Sequence, residues 1–322
     1  MNKDSRIYIA GHSGLVGSAL VRALEREGYR NIITRPHAEL DLMDVQAVSK
    51  FFRDTRPEFV VLAAAKVGGI VANNTYPADF IRDNLIIELN VVNACLASGV
   101  ERLLFLGSSC IYPRDCPQPI EEKYLLTGPL EPTNRPYAIA KIAGIEMCWS
   151  FNRQYGTRYL SVMPTNLYGP WDNYHPEHSH VIPGLIRRFH EAVSKGNEQV
   201  VVWGTGSPRR EFMHSDDMAG ACLFLLNIDK KNYDAVAANL DEPPLINVGW
   251  GKDTTIKELA KNIAEVTGFE GEVIWDTSKP EGAPRKLLNV DRLKTLGWVP
   301  EIELTDGLRQ TYESFRRGET RS

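Results

Sequence analysis

Ile7-Tyr8-Ile9-Ala10-Gly11-His12-Ser13-Gly14-Leu15-Val16-Gly17 sets a short apolar run directly before three glycines spaced three apart. The run reads as a strand, and residues 14–28 carry helical periodicity, so the glycines stand at a strand-to-helix turn. Glycine permits a tight bend there and lets backbone N–H groups approach an anion at the helix N-terminus, where the helix dipole favours negative charge. The spacing is G-x-x-G-x-x-G rather than the G-x-G-x-x-G of the dinucleotide fingerprint. Such a triplet can also serve only to pack a helix on a strand. At the first turn of a strand–helix alternation it points instead to a bound dinucleotide pyrophosphate.

The alternation is present. Strand candidates at residues 6–10, 31–35, 59–63, 102–107 and 159–164 are separated by helix-period segments such as 14–28 and 78–98. Parallel strands need helical crossovers, and a sheet covered on both faces reads as continuous apolar runs. Beyond residue 168 the pattern loosens. Residues 169–180 are rich in Pro, His, Asn and Asp and read as a long functional loop. A helix at 181–195, a strand at 199–203 and a helix at 218–227 follow, then a surface excursion at 230–244. The remainder offers strands at 245–248 and 272–276, with helices at 256–267, 290–296 and 306–317. The expected fold is α/β, a Rossmann-type doubly wound parallel sheet with a smaller C-terminal α/β lobe. Residues 1–168 would form the dinucleotide-binding domain, with part of 199–227 returning to it, and 169–322 mainly the substrate-binding lobe.

Bulk properties exclude other classes. A formal charge of −4 lacks the dense basic surface that nucleic-acid phosphates require, and no apolar run reaches the length of a membrane span. Residues 1–6 carry no signal-like apolar stretch. The five cysteines, Cys95, Cys110, Cys116, Cys148 and Cys222, form no C-x-x-C pair. Their odd number reads as reduced thiols and a cytoplasmic location.

The second strand bears on which dinucleotide binds. NAD enzymes of this architecture place a carboxylate at its end for the ribose 2′-hydroxyl. Here Thr34-Arg35-Pro36-His37 stands in that place, and Arg35 with His37 can offset a 2′-phosphate, which favours NADP(H). Asp41 and Leu42 suit the adenine edge, and Asp41 could equally cap a helix.

Tyr137-Ala138-Ile139-Ala140-Lys141 puts a tyrosine and a lysine one helical turn apart on one face. A free tyrosine, with a pKa of about 10, is a poor proton-transfer group at neutral pH. A nearby ammonium stabilises its phenolate and brings it toward the working range. Upstream, Leu106-Gly107-Ser108-Ser109-Cys110 ends an apolar strand, the edge where open α/β sheets bind ligands. There Ser108 can polarise a carbonyl together with Tyr137.

Glycine turn, strand-end serine and Y-x-x-x-K, in this order, resemble the extended short-chain dehydrogenase/reductase family, with Ser108, Tyr137 and Lys141 as its triad. Ala63-Ala64-Ala65-Lys66-Val67-Gly68-Gly69-Ile70, residues 107–113 (GSSCIYP), residues 163–170 (MPTNLYGP) and Arg210-Glu211-Phe212 are similar to its GDP-4-keto-6-deoxy-D-mannose epimerase/reductase branch. That resemblance implies inversion at C3 and C5 of the sugar, then reduction of the C4 ketone with NADPH. It implies Cys110 as base and His180 as acid, on opposite faces of the sugar. It implies a cofactor lined by Gly11, His12, Ser13, Gly14, Leu15, Val16 and Gly17, by Arg35, His37, Asp41 and Leu42, and by Leu106, Gly107 and Ser109. Lys141, Pro164, Thr165, Asn166, Leu167 and His180 would complete that lining. Arg188 and Arg210 would clamp the GDP diphosphate, and Glu281 would contact substrate. Trp203 would pack on nucleotide or sugar, or else lie in the core. Family members often carry basic residues at the positions of Ser13 and His37, so this chain departs where the 2′-phosphate is read. A homodimer, joined by helices around 84–98 and 137–154, is a further implication.

A His-x-x-His-x-His run, His175, His178 and His180, has no acidic or thiolate ligand close in sequence and is not read as a metal site. Other nucleotide-sugar enzymes of this fold are the nearest alternatives. A 4,6-dehydratase would carry Thr-Asp-Glu where Ser108-Ser109-Cys110 stands, and a silent NADP sensor would have no need of both Tyr137 and Lys141.

Overall fold

A computed structural model describes residues 1–176, 178–239, 241–278 and 282–320. Its first half runs β1 (Ile7–Ala10), α1 (Leu15–Arg26), β2 (Ile32–Ile33), α2 (Val45–Thr55), β3 (Phe59–Leu62), α3 (Ile70–Thr75), α4 (Pro77–Ser98), β4 (Arg102–Leu106), α5 (Arg135–Tyr155) and β5 (Tyr159–Pro164). The second half runs β6 (Asn166–Tyr168), α6 (Val181–Lys195), β7 (Gln199–Trp203), β8 (Arg209–His214), α7 (Ser215–Asn227), α8 (Lys230–Ala237) and β9 (Leu245–Val248). It ends with β10 (Asp253–Thr255), α9 (Ile256–Thr267), β11 (Glu272–Asp276), β12 (Arg285–Lys286), α10 (Asp291–Leu296) and α11 (Leu304–Arg316).

The large sheet has six strands in the order β2-β1-β3-β4-β5-β9, all paired in parallel. Every residue of β1, β3 and β4 is buried, as a sheet covered on both faces requires. One face carries Leu20 and Leu24 of α1 with Met218 and Leu225 of α7. The other carries Val48 and Phe52 of α2, Val91 and Val92 of α4, and Ile145 of α5. The strand order reverses between β1 and β3, and ligands of such sheets lie at the carboxyl ends of the strands there.

A third apolar cluster lies apart from that sheet. Ile182, Leu185, Ile186 and Phe189 of α6 meet Leu259 and Ile263 of α9, under the parallel pair β7–β11. Between the two regions runs a short sheet, β10-β8-β12, with β6 also paired to β8. β6 follows β5 after one residue, so the chain leaves the large sheet and enters the small one at Thr165.

Several expectations change. The second strand shrinks from 31–35 to Ile32–Ile33, and Arg35 and His37 follow it in irregular backbone. Residues 230–237 are no excursion: Asp229 caps α8, and Tyr233, 1% exposed, sinks with Val236 and Ala237 into the core under the large sheet. These three share one helical face at i, i+3 and i+4 spacing. Residues 245–248 join the large sheet beside β5. The helix cap after the second strand is Asp44, which accepts from the amides of Gln46 and Ala47, whereas Asp41 accepts from the Met43 amide in a turn.

Candidate active site

The glycine turn has the shape its sequence demands. Gly11 has φ +86°, and a Cβ there would stand 2.7 Å from the Ala64 nitrogen. A Cβ on Gly17 would meet the Gly11 carbonyl oxygen at 2.0 Å, so the first turn of α1 lies flat against the loop. Gly14 is the N-cap of α1 and no side chain caps the helix. Nδ1 of His12 is buried without a hydrogen-bond partner among the described residues. An uncapped helix N-terminus beside a ring nitrogen able to donate fits a pyrophosphate, whose oxygens accept from both.

Around the adenosine end the side chains are open. Ser13 is exposed, and His37 has 83% of its side chain exposed with Asp41 at 3.9 Å. Arg35 lies over the Phe51 ring, 3.7 Å from Glu39. Leu42 is buried, its carbonyl accepting from Asn90.

The carboxyl ends of β4 and β5 build the reactive centre. Gly107 is bound to Val162 by its amide, and a Cβ there would stand 2.0 Å from the Met163 methyl, so only glycine lets the strand end run this close. Ser108 is extended, and its hydroxyl accepts from the Cys110 amide at 3.3 Å. Ser108 also hydrogen-bonds the Tyr137 side chain. Desolvation pushes the Tyr137 phenol above its ordinary range, with Cys110 and Glu88 adding to that, while the Ser108 hydrogen bond pulls the other way. Phe80 meets the Tyr137 ring edge-on at 6.3 Å between centroids.

Lys141 does lie one turn beyond Tyr137 on α5, but its Nζ stands 5.9 Å from the centre of the tyrosine ring. Its nearest charge is Glu88 of α4, 3.2 Å away. Cys110 receives a hydrogen bond from Nδ2 of Asn134 at 3.1 Å, and Nζ of Lys286 lies 4.0 Å from the same sulfur. His180 is the N-cap of α6 and faces solvent, yet surrounding atoms desolvate its ring enough to lower its pKa. The loop carrying it touches the 63–69 segment: a Cβ on Gly69 would sit 3.4 Å from the His178 carbonyl oxygen. His175 and His178 stack on each other at 4.5 Å. Among the described residues no cluster of three or more His, Cys, Asp or Glu has the geometry to hold a metal.

Residues 164–167 leave β5 for β6 beside a fixed carbonyl. The Thr165 hydroxyl and the Asn166 amide both donate to the Glu211 carbonyl oxygen, at 3.2 and 2.8 Å. The Glu211 carboxylate, fully buried, accepts from the amides of Gly251 and Leu288, at 2.6 and 3.0 Å. Burial raises its pKa, and these backbone hydrogen bonds oppose the rise. One carboxylate thereby ties β8 to the 249–251 turn and to the segment after β12. Pro164 pairs with Val248 at the sheet edge, and Leu167 packs on the core.

On the smaller lobe, Arg188 of α6 lies 5.5 Å over the Trp203 ring and donates to the Val201 carbonyl. Trp203 is 50% exposed, so it is a surface platform rather than a core residue. Arg187 is held by Glu191, and Arg209 by Asp253 at 2.8 Å. Arg210, on the alternate face of β8, donates to the Arg209 carbonyl, and its guanidinium lies beside Gly282. Glu281 falls outside the described residues.

Sequence reasoning missed Asn134, Lys286 and Glu88, and gave Glu211 no role beyond its place in a family-like segment. Asn134, just ahead of Pro136-Tyr137, had a positional cue, and Glu88 is the one acid in the apolar stretch 85–98 of α4. Lys286 had none, since it reaches the site only through the pairing of β12 with β8.

Residues 7–239 match the NAD dependent epimerase/dehydratase family. The GDP-L-fucose synthase of Escherichia coli (strain K12) is 56% identical over 98% of each chain. GDP-L-fucose synthase 1 of Arabidopsis thaliana is 55% identical over 98% of this chain and 94% of its own. Among solved structures, a GDP-6-OMe-4-keto-L-xylo-heptose reductase from C. jejuni superposes with TM-score 0.92 at 37% identity, covering 99% of each chain. A GDP-L-fucose synthetase from Naegleria fowleri bound to NADP superposes with TM-score 0.87 at 26% identity, over 99% of this chain and 96% of that one. With its glycine turn, its Ser108–Tyr137 contact and this full-length similarity, the chain belongs to the NAD dependent epimerase/dehydratase family, in the GDP-L-fucose synthase branch.

Proposed function

We propose that the chain converts GDP-4-keto-6-deoxy-D-mannose to GDP-L-fucose by inverting C3 and C5 and then reducing the C4 ketone at the expense of NADPH. The observation that carries this reading is the position of Cys110. A thiol with an amide and an ammonium at its sulfur stands beside the Ser108–Tyr137 pair, so a carbon base adjoins the carbonyl-polarising groups.

Ser108 and Tyr137 donate to the ketone oxygen and stabilise the enolate that forms when a neighbouring carbon loses its proton. Cys110 takes that proton from one face, and His180 returns one from the other, which inverts the carbon. The lowered basicity of His180 makes its protonated form a ready donor. Tyr137 then protonates the C4 oxygen during reduction. Residues 11–17 would hold the pyrophosphate of NADPH, Lys141 its nicotinamide ribose, Leu106, Gly107, Ser109 and residues 164–167 its nicotinamide end, and Leu42 with Asp41 its adenine. When bound, that cofactor supplies the hydride. Arg35, with His37 beside it in the sequence, would face a 2′-phosphate. Arg188 and Arg210 neutralise the GDP diphosphate, and Trp203 offers its half-exposed ring to the nucleotide or sugar. Glu281 would complete that site. This divides the labour between a cofactor-binding part, residues 1–168 with part of 199–227 and with α8 and β9, and a substrate lobe from most of the rest.

We further propose a cytoplasmic homodimer that contacts neither nucleic acid nor membrane. Leu89 of α4 and Ile139 of α5, 49% and 37% exposed, supply apolar surface on the two helices expected to join the protomers. Among the described residues no helix is long and apolar enough to cross a membrane.

The test is oxidation of NADPH, followed by loss of nicotinamide absorbance, with GDP-4-keto-6-deoxy-D-mannose as substrate. Formation of GDP-L-fucose supports the reading. A folded, NADPH-binding protein that leaves this sugar unchanged overturns it.

A further inference from the structure

The lysine that the reaction needs is not placed by the tyrosine it serves. Lys141 is 1% exposed, and so is Glu88, which reaches it from the neighbouring helix α4. Nζ and Oε1 are 3.2 Å apart. Among the described residues neither carboxylate oxygen of Glu88 has a hydrogen-bond partner of good geometry, and the ammonium is the charge that compensates it in the dry interior. A buried charge without such compensation is strongly unfavourable.

The surroundings are shaped for this pair. Gly144, inside α5, faces it, and a Cβ there would stand 2.9 Å from Oε2 of Glu88 and 2.4 Å from the Phe105 ring. Glycine weakens a helix interior, so its presence marks a place where room for the carboxylate matters more than helix propensity. Phe105 of β4 lays its ring 4.7 Å beneath Nζ, an uncharged surface that favours a cation. The other titratable groups facing the pair are Tyr137 and Cys148, both on α5. Burial raises both above their ordinary ranges, Cys148 to about 12, which keeps them neutral. Beyond Cys148 stands Cys95 of α4, also raised by burial and also neutral. Burial likewise lifts the Glu88 carboxyl, and Lys141 draws it back toward the charged form.

We propose that Glu88 is a positioning residue for ketone reduction, the built-in counter-ion that keeps the Lys141 ammonium charged and seated behind Tyr137 inside the protein. The role rests on the reductase reading given above. Without the carboxylate, desolvation would strip the proton from the lysine despite the Phe105 ring beneath it, and Tyr137 would lose the positive charge behind it.

Two arms test this, one of them free of any assumption about the reaction. In the protein without cofactor, 15N-labelled on lysine, the Nζ signal absent from Lys141→Met is followed through pH. In Glu88→Gln it should lose its proton at lower pH than in the wild type, by about one unit or more. In the second arm, the alkaline limb of kcat/KM for NADPH oxidation should move down in pH with it. At alkaline pH kcat should fall by about tenfold or more, with the KM for the sugar nearly unchanged. Glu88→Asp, which keeps the charge but draws it back by one methylene, should show the same shift in smaller measure. It also serves if Glu88→Gln fails to fold. A lysine signal and an alkaline limb that stay at their wild-type positions in a folded Glu88→Gln or Glu88→Asp protein overturn the proposal, leaving Glu88 a packing residue. A wild type that oxidises no NADPH sinks the reductase reading instead, and the apo titration still decides the role of Glu88.

Discussion

Asn134 donates its side-chain amide to the Cys110 sulfur across 3.1 Å, from the turn that leads into the helix carrying Tyr137. A donor aimed at sulfur stabilises a thiolate more than a thiol. The base and the carbonyl-polarising tyrosine are thus set by one short stretch of chain, residues 134–137. Cys110→Ser should lower exchange of the C3 and C5 hydrogens with D₂O by about 10²–10⁴-fold, and Asn134→Ala should lower it by a smaller factor. Mass spectrometry of the recovered sugar nucleotide measures both. Full exchange in Cys110→Ser would remove the thiol from the mechanism.

Tyr137→Phe separates the two half-reactions. Ser108 still polarises the ketone, so part of the hydrogen exchange should survive. Reduction should fall by about 10²–10⁴-fold, because no other group supplies a proton to the C4 oxygen. Comparing deuterium uptake with NADPH oxidation in one preparation checks this. Equal losses in both would mean the phenol serves enolisation and reduction alike.

Arg210 and its neighbour Arg209 make an internal control. Arg209 is occupied by Asp253, whereas Arg210 lies on the other face of β8 beside Gly282. Arg210→Ala should raise the KM for the GDP-sugar by about 10–100-fold, the loss of one charge-assisted contact to a diphosphate. It should leave NADPH affinity nearly unchanged. Initial-rate kinetics with each substrate varied would expose a wrong assignment as a change in the cofactor instead.

Gly17→Ala tests the phosphate turn. The added methyl would stand 2.0 Å from the Gly11 carbonyl oxygen, so the turn must open. NADPH binding, read by fluorescence titration, should weaken by at least about tenfold, one lost charge-assisted hydrogen bond's worth. Wild-type affinity would show that the loop yields more easily than its close packing implies.

Acid sensitivity should come in part from His214. This residue is fully buried, caps α7 through Nδ1, and has its pKa lowered to about 4, chiefly by burial, with Asp216 opposing. Both folded and unfolded forms hold it neutral at neutral pH. As pH falls below 6.5 the unfolded chain takes up the proton first, so stability is lost progressively down to about 4. The full loss is roughly 3 kcal/mol. His214→Asn keeps an N-cap acceptor, and its melting temperature should fall less between about pH 7 and about pH 5 than that of the wild type. Parallel melting curves would assign the acid sensitivity elsewhere.

Glycine spacing, the apolar runs of β1, β3, β4 and β5, and the turn-spaced Tyr137 and Lys141 were enough to read a doubly wound sheet and its reactive tyrosine, because they express local rules: strand and helix periodicity and backbone freedom at a turn. The family resemblance added Cys110 and His180 as residue-by-residue expectations. Short strands escaped this reading. β6, β10 and β12 have 3, 3 and 2 residues, too few to show a period, and they exist only because β8 offers them edges. Folding α8 under the large sheet was equally invisible, since its apolar face spans barely two turns. The tertiary structure alone decided that Lys286 reaches the Cys110 sulfur from 176 residues away, and that Glu211 ties β8 to two distant turns. It alone set Glu88 against Lys141. Each of these joins charges or hydrogen-bonding groups from separate elements in a dry interior, where every polar group must find a partner in space, and sequence order does not record which one.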